Sequence, residues 1–74
     1  MRDWLLQQRK EKGRTMKDMA AALGISEGYY CCIENGDRQK RMDLVTLLGI
    51  ASALECDPAE LMYYEKLYIE ASRE

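Results

Sequence analysis

Signals that begin and end helices divide this chain into five segments, and they constrain its fold more than any other feature of the sequence. Threonine, serine and aspartate side chains accept hydrogen bonds from the free backbone N–H groups at a helix start. Glycine favours the left-handed conformation that ends a helix. The candidate starts are Thr15, Ser26, Asp43 and Asp57, and the candidate stops are Gly13, Gly24 and Asn35-Gly36.

Apolar residues recur at helical spacing in each segment, and strict alternation of apolar and polar residues is absent, so the sequence predicts an all-α domain of five short helices. Short helices with tight connections favour a compact bundle with non-parallel packing. The predicted helices run from Asp3 to about Lys12, from the Thr15 cap to Gly24, from the Ser26 cap to about Glu34, from the Asp43 cap through Leu54, and from the Asp57 cap to about Ser72.

Length and composition restrict the possible functions. The chain has 74 residues, enough for one domain with a modest core. No apolar run approaches the roughly 20 residues that span a membrane. The absence of histidine excludes histidine bases, nucleophile pairs and metal ligands. The three cysteines lack Cys-x-x-Cys spacing, which favours a reducing cytoplasm over a disulfide-rich secreted scaffold.

Charge is distributed unevenly along the chain. Residues 1–41 contain nine Lys or Arg and six Asp or Glu, whereas residues 42–74 contain two and seven. Although the net charge is −2, this distribution is compatible with a protein that presents a basic face to phosphate.

Residues 16–35 have the spacing of a helix-turn-helix. A small residue, Ala20, stands where the second helix would cross the first, and Gly24 four residues later tolerates a left-handed turn. We expect Tyr30 and Ile33 to anchor the second helix in the core. The residues expected to fill the junction are Met19, Leu23 and Ile25, and those expected to point inward from the fourth helix are Leu44, Leu47, Leu48, Ala51 and Leu54.

The stretches "LLQQRKEKGRT", "DMAAALGIS", "YYCCIENG", "LVTLLGIASAL" and "DPAELM" resemble the Cro/phage-repressor type of helix-turn-helix protein, the XRE family. The resemblance implies a lambda-repressor-like five-helix domain over residues 1–62. It also implies a transcriptional regulator, not an enzyme, that binds double-stranded DNA as a homodimer without a cofactor. Residues 63–74 are expected to extend the last helix.

The resemblance also implies roles for individual residues. Arg9 and Glu34 match a pair that the family buries as a salt bridge between its first and third helices. The implied base-facing residues are Glu27, Gly28, Tyr29 and Cys32. The implied phosphate-facing residues are Thr15, Met16 (through its backbone), Lys17, Asn35, Arg38, Lys40 and Arg41.

The chain departs from the family pattern at the predicted DNA surface. The family often has glutamine at Met16 and lysine or glutamine at Cys32. Glu27 is repelled by phosphate but can accept a hydrogen bond from cytosine N4. The loop from Asp37 to Met42 is about two residues longer than usual. We therefore expect most of the affinity to come from the basic loop that follows the third helix.

The adjacent cysteines admit a different interpretation. Consecutive residues on a helix project about 100° apart, so Cys31 and Cys32 cannot easily bind one metal ion, and we predict no metal site. A cysteine enzyme or a redox switch is a second alternative, although neither thiol stands at a helix start, where the thiol pKa is lowered.

The end of the chain carries an apolar stripe at helical spacing. Packing onto the first helix and Trp4 would explain it, and so would a dimer contact; because the family reads two half-sites, we favour a dimer contact. A protein-interaction module such as an antitoxin, with a small protein partner, is a further alternative. The predicted dimer residues are Leu61, Tyr64, Leu67 and Tyr68.

Overall fold

The five predicted helices are all present in a computed structural model that describes residues 1–39 and 42–72. No strand occurs in these two ranges, so the prediction of an all-α, five-helix domain is confirmed. Lys40 and Arg41, two of the predicted phosphate-facing residues, lie outside the described residues. The helices are α1 (Asp3–Glu11), α2 (Met16–Leu23), α3 (Glu27–Asn35), α4 (Leu44–Leu54) and α5 (Pro58–Ser72).

The predicted helix caps make their hydrogen bonds. Thr15 and Asp18 form a reciprocal capping box, in which each side chain accepts from the other's backbone N–H at 3.0 Å. The hydrogen bond from the Thr15 backbone N–H to the Asp18 carboxylate holds the pKa of Asp18 below its ordinary value. Ser26 accepts from Tyr29 N at 3.0 Å, and Asp43 accepts from Thr46 N at 2.7 Å. Local sequence alone therefore specifies where these helices begin.

One apolar core joins the helices. Tyr30 and Ile33 are buried as predicted. Helices α2 and α4 approach closely at Gly49, where a Cβ atom would lie 2.7 Å from Leu23 Cδ2. The buried apolar residues are Leu5, Met19, Ala20, Tyr30, Ile33, Leu47, Ile50, Ala51, Leu54 and Leu61.

Leu44 and Leu48 were predicted to point inward from α4, and both predictions are wrong. Leu44 is 63% exposed and Leu48 is 44% exposed, whereas Ile50 is fully buried. Leu44 belongs to the first turn, beyond the edge of the core, where it lines an open groove with Met62 and Ile69. Leu48 lies beside the buried row, which follows the spacing of Leu47, Ile50, Ala51 and Leu54.

No helix in the described part of the chain is both long enough and apolar enough to span a membrane.

Candidate nucleic-acid interface

Helices α2 and α3 form the predicted helix-turn-helix. Gly24 joins them in the left-handed conformation, with φ at 70°. The N–H of Ile25 donates to the carbonyl of Ala20 at 3.0 Å, which closes the turn. Ala20 is buried at the junction, where a small residue was predicted. The two helices are consequently held in one fixed arrangement by their own backbone and by the core.

The start of α2 presents backbone N–H groups. The first N–H groups of a helix lack acceptors within it, and the capping box uses those of Thr15 and Asp18 but not those of Met16 and Lys17. The side chains of Thr15 and Lys17 are exposed, whereas Met16 is half-buried against the core. Met16 and Lys17 can therefore present their N–H groups to an anion, and Lys17 adds a positive charge.

Helix α3 has one buried side and one accessible side. Tyr30, Ile33 and Glu34 are buried. Among the predicted base-facing residues, Glu27 and Gly28 are exposed, Tyr29 is 39% exposed and Cys32 is half-buried. A Cβ atom added to Gly28 would meet nothing within 4 Å, so packing does not require glycine there. The accessible side thus carries one negative charge and little bulk at its start.

The segment after α3 folds back onto that helix. The N–H groups of Asp37 and Arg38 both donate to the carbonyl of Cys32, at 2.9 and 3.2 Å. Gln39 Nε2 donates to the Tyr29 hydroxyl at 3.4 Å. The Arg38 side chain is exposed. The structure therefore places an exposed arginine three residues after the end of α3.

Asn35 is exposed at the last position of α3. Its Nδ2 donates to Cys31 Sγ at 3.5 Å, one helical turn earlier. The side chain is consequently directed along its own helix, and Cys31 receives a role as a hydrogen-bond acceptor that the sequence did not indicate.

Arg9 and Glu34, which the resemblance pairs, form an ion pair that joins α1 to α3. Arg9 Nε donates to Glu34 Oε2 at 2.9 Å, and Arg9 Nη2 donates to Oε1 at 3.2 Å. The hydrogen bond to Glu34 raises the pKa of Arg9. Arg9 Nη1 also donates to the carbonyl of Arg14 at 3.0 Å. One guanidinium thereby connects α3 with the residue that precedes the cap of α2.

A second buried ion pair was not predicted from the sequence. Arg2 is fully buried, and its Nε and Nη2 donate to the two carboxylate oxygens of Glu65 at 2.9 Å each. A signal for it existed, because Glu65 stands four residues after Leu61 and three before Tyr68, inside the apolar stripe of α5. A charge at such a position requires a partner.

The match to known proteins agrees with this geometry. Residues 5–66 match a family model described as a Cro/C1-type helix-turn-helix DNA-binding domain. The chain belongs to this family. Over 49 residues it is 49% identical to an uncharacterized HTH-type transcriptional regulator, YqaF, of Bacillus subtilis (strain 168). The alignment covers 66% of this chain and 64% of that relative, less than two thirds of its length. No solved structure matches the chain.

In this Cro/C1-type domain, the prediction that Leu61 contributes to a dimer contact is wrong. Leu61 is fully buried in the core of the monomer, so it is not available for a dimer contact. Tyr64 is half-buried, with its ring centroid 6.1 Å from that of Trp4. Tyr68 is half-buried beneath Arg2, whose guanidinium carbon lies 4.9 Å from the ring centroid. Leu67 remains 45% exposed.

The three cysteines are free thiols, each half-buried. Cys56 Sγ donates to Gln8 Oε1 at 3.6 Å, across the interface between the end of α4 and α1. Within residues 1–39 and 42–72, no group of three or more cysteine, aspartate or glutamate side chains could hold a metal ion.

Proposed function

We propose that this domain is a sequence-specific DNA-binding transcriptional regulator whose helix α3 enters the major groove. The observation that carries the proposal is the division of α3 into two sides, with Tyr30 and Ile33 buried and Glu27 and Gly28 exposed. A reading helix needs early residues that can reach base edges and an opposite side fixed on the domain. The name of the relative YqaF, an HTH-type transcriptional regulator, supports the regulatory part of the proposal.

Most of the affinity would come from phosphate contacts. Helix α3 contains no Lys or Arg, so the positive charge must come from elements beside it. The backbone N–H groups at the start of α2 suit a phosphate oxygen, and the exposed guanidinium of Arg38 suits another. The full proposed set is Thr15, Met16, Lys17, Asn35, Arg38, Lys40 and Arg41.

Base recognition would depend on the start of α3. Glu27 can accept a hydrogen bond from cytosine N4, and its charge disfavours bases that offer only acceptors. Gly28 leaves room for a base edge or a thymine methyl group to approach the helix closely. Tyr29 and Cys32 complete the proposed reading surface, one helical turn apart.

We also propose that the domain binds DNA as a homodimer through α5, with Tyr64, Leu67 and Tyr68 at the contact. Support comes from a groove of about 420 Å³ that these residues line together with Trp4. Leu67 is the most exposed of the three. A two-fold dimer would place two α3 helices on half-sites separated by about one turn of DNA, roughly 34 Å.

Selection of bound duplexes from a random DNA pool tests the proposal. The expected result is enrichment of one short motif, arranged as an inverted repeat if two copies bind together. Enrichment of a single half-site would retain DNA reading and refute the dimer. A pool that stays random after repeated selection, with a folded protein, would refute sequence-specific binding.

A further inference from the structure

The buried ion pair between Arg2 and Glu65 contacts the backbone in the last turn of α3 and in the segment that follows this helix, residues 36–42. Arg2 Nη1 donates to the carbonyl of Ile33 at 2.5 Å, and Arg2 Nη2 donates to the carbonyl of Gln39. Glu65 Oε2 accepts from the N–H of Met42 at 3.2 Å. The last turn of α3, the carbonyl of Gln39 and the N–H of Met42 are thus attached to one pair of side chains.

The same side of α5 also contacts the end of α3. Gly36 ends α3 with φ at 88°, and a Cβ atom placed there would overlap the hydroxyl group of Tyr68. The Tyr68 ring lies against the Arg2 guanidinium. Trp4 Nε1 donates to Glu65 Oε1 at 3.2 Å, which fixes the carboxylate from a third direction. The position of the pair is therefore determined by α1, α3 and α5 together.

Net stability alone is a weak explanation for this pair. Burial of two charges has a desolvation cost that can offset their attraction, and apolar side chains of similar volume often serve stability as well. What such side chains cannot do is donate to the carbonyls of Ile33, Arg38 and Gln39. The distinctive property of the pair is the backbone geometry that it fixes.

We propose that Arg2 and Glu65 are positioning residues for DNA binding, which hold the backbone at Arg38, Gln39 and Met42 so that the Arg38 side chain reaches a phosphate while α3 lies in the groove. This inference rests on the proposed function. Neither side chain touches DNA, because both are buried. Their effect is transmitted through the carbonyls of Arg38 and Gln39 and the N–H of Met42.

The test compares Arg2→Lys and Glu65→Gln with Ile50→Val, a core substitution that removes no hydrogen bond to the segment. Affinity for one duplex is measured at several salt concentrations, at a temperature where circular dichroism shows each protein folded. We expect the salt slope of the Arg2 and Glu65 variants to become less negative, by about 1 for each phosphate that the protein no longer neutralises. The slope of Ile50→Val should equal that of the wild type.

Amide hydrogen exchange gives a second readout that requires no DNA, and its first part requires only the wild-type protein. The N–H of Met42 should be protected well beyond its random-coil rate, and Glu65→Gln should accelerate its exchange. An unprotected Met42 N–H in the wild type would overturn the inference, even if both variants failed to fold. A wild-type salt slope in folded Arg2→Lys would overturn it as well. Absence of DNA binding by the folded wild type would instead overturn the proposed function and this role together.

Discussion

Arg9 and Glu34 lie 2.9 Å apart at the boundary between the core and the helix-turn-helix, and both side chains are nearly inaccessible to solvent. The pair joins α1 to α3 and, through the carbonyl of Arg14, to the start of α2. Beside it, burial and the Glu34 carboxylate raise the pKa of Tyr30, so this tyrosine stays neutral at any physiological pH.

Arg9→Met should destabilise the domain by about 3–5 kcal/mol, because it leaves the Glu34 carboxylate buried without its partner. Urea denaturation measures the change in the free energy of unfolding. Arg14→Met is the matched control, since Arg14 pairs with Glu55 at 3.6 Å on the exposed surface. That substitution should cost at most about 1 kcal/mol. An equal loss in the free energy of unfolding for the two substitutions would show that the Arg9–Glu34 pair contributes no more to stability than an exposed ion pair.

Gly28 inside α3 and Gly36 at the end of α3 should respond oppositely to alanine. Gly28 has a helical backbone and open space around it, so Gly28→Ala should stabilise the domain by about 0.5–1 kcal/mol. Gly36 has φ at 88° and faces Tyr68, so Gly36→Ala should destabilise by more than about 1 kcal/mol. Thermal or urea denaturation measures both. A destabilised Gly28→Ala together with a stabilised Gly36→Ala would contradict the assigned backbone conformations.

The elements that short-range signals specify were predictable, whereas contacts between distant residues were not. Caps such as Thr15 and Asp43 form hydrogen bonds with residues three positions away, so the sequence predicts them directly. Helix α4 is apolar on nearly every side, so periodicity could not show that Leu48 is exposed and Ile50 buried. Arg2 and Glu65 are separated by 63 residues, and only the tertiary fold brings them together.

The proposed contacts divide into two classes that substitution should separate. Arg38→Ala should weaken binding to all duplexes alike and make the salt slope less negative by about 1, because a phosphate contact carries no sequence information. Glu27→Gln should change the preferred base instead, by about 1–3 kcal/mol between the right and wrong base pair. Fluorescence anisotropy with a panel of single-base variants measures both. A changed preference in Arg38→Ala, with none in Glu27→Gln, would refute the proposed docking.

The proposed dimer contact can be separated from the other exposed apolar surface, at the start of α4. Leu67→Glu on α5 should convert the dimer to a monomer, because it places a charge in an apolar interface. Val45→Glu on α4 is the control, since Val45 is 81% exposed and lies outside the proposed contact. Sedimentation equilibrium measures the mass of each variant. A monomer produced only by Val45→Glu would move the interface to α4.

The salt dependence of binding to duplex DNA is the measurement on which the proposed function depends most. We predict measurable binding at about 50 mM salt and an affinity that falls steeply as salt rises, with a slope of roughly −0.9 for each neutralised phosphate. A folded wild-type protein that shows no binding at about 50 mM salt, or binding that salt leaves unchanged, would contradict DNA binding through phosphate contacts.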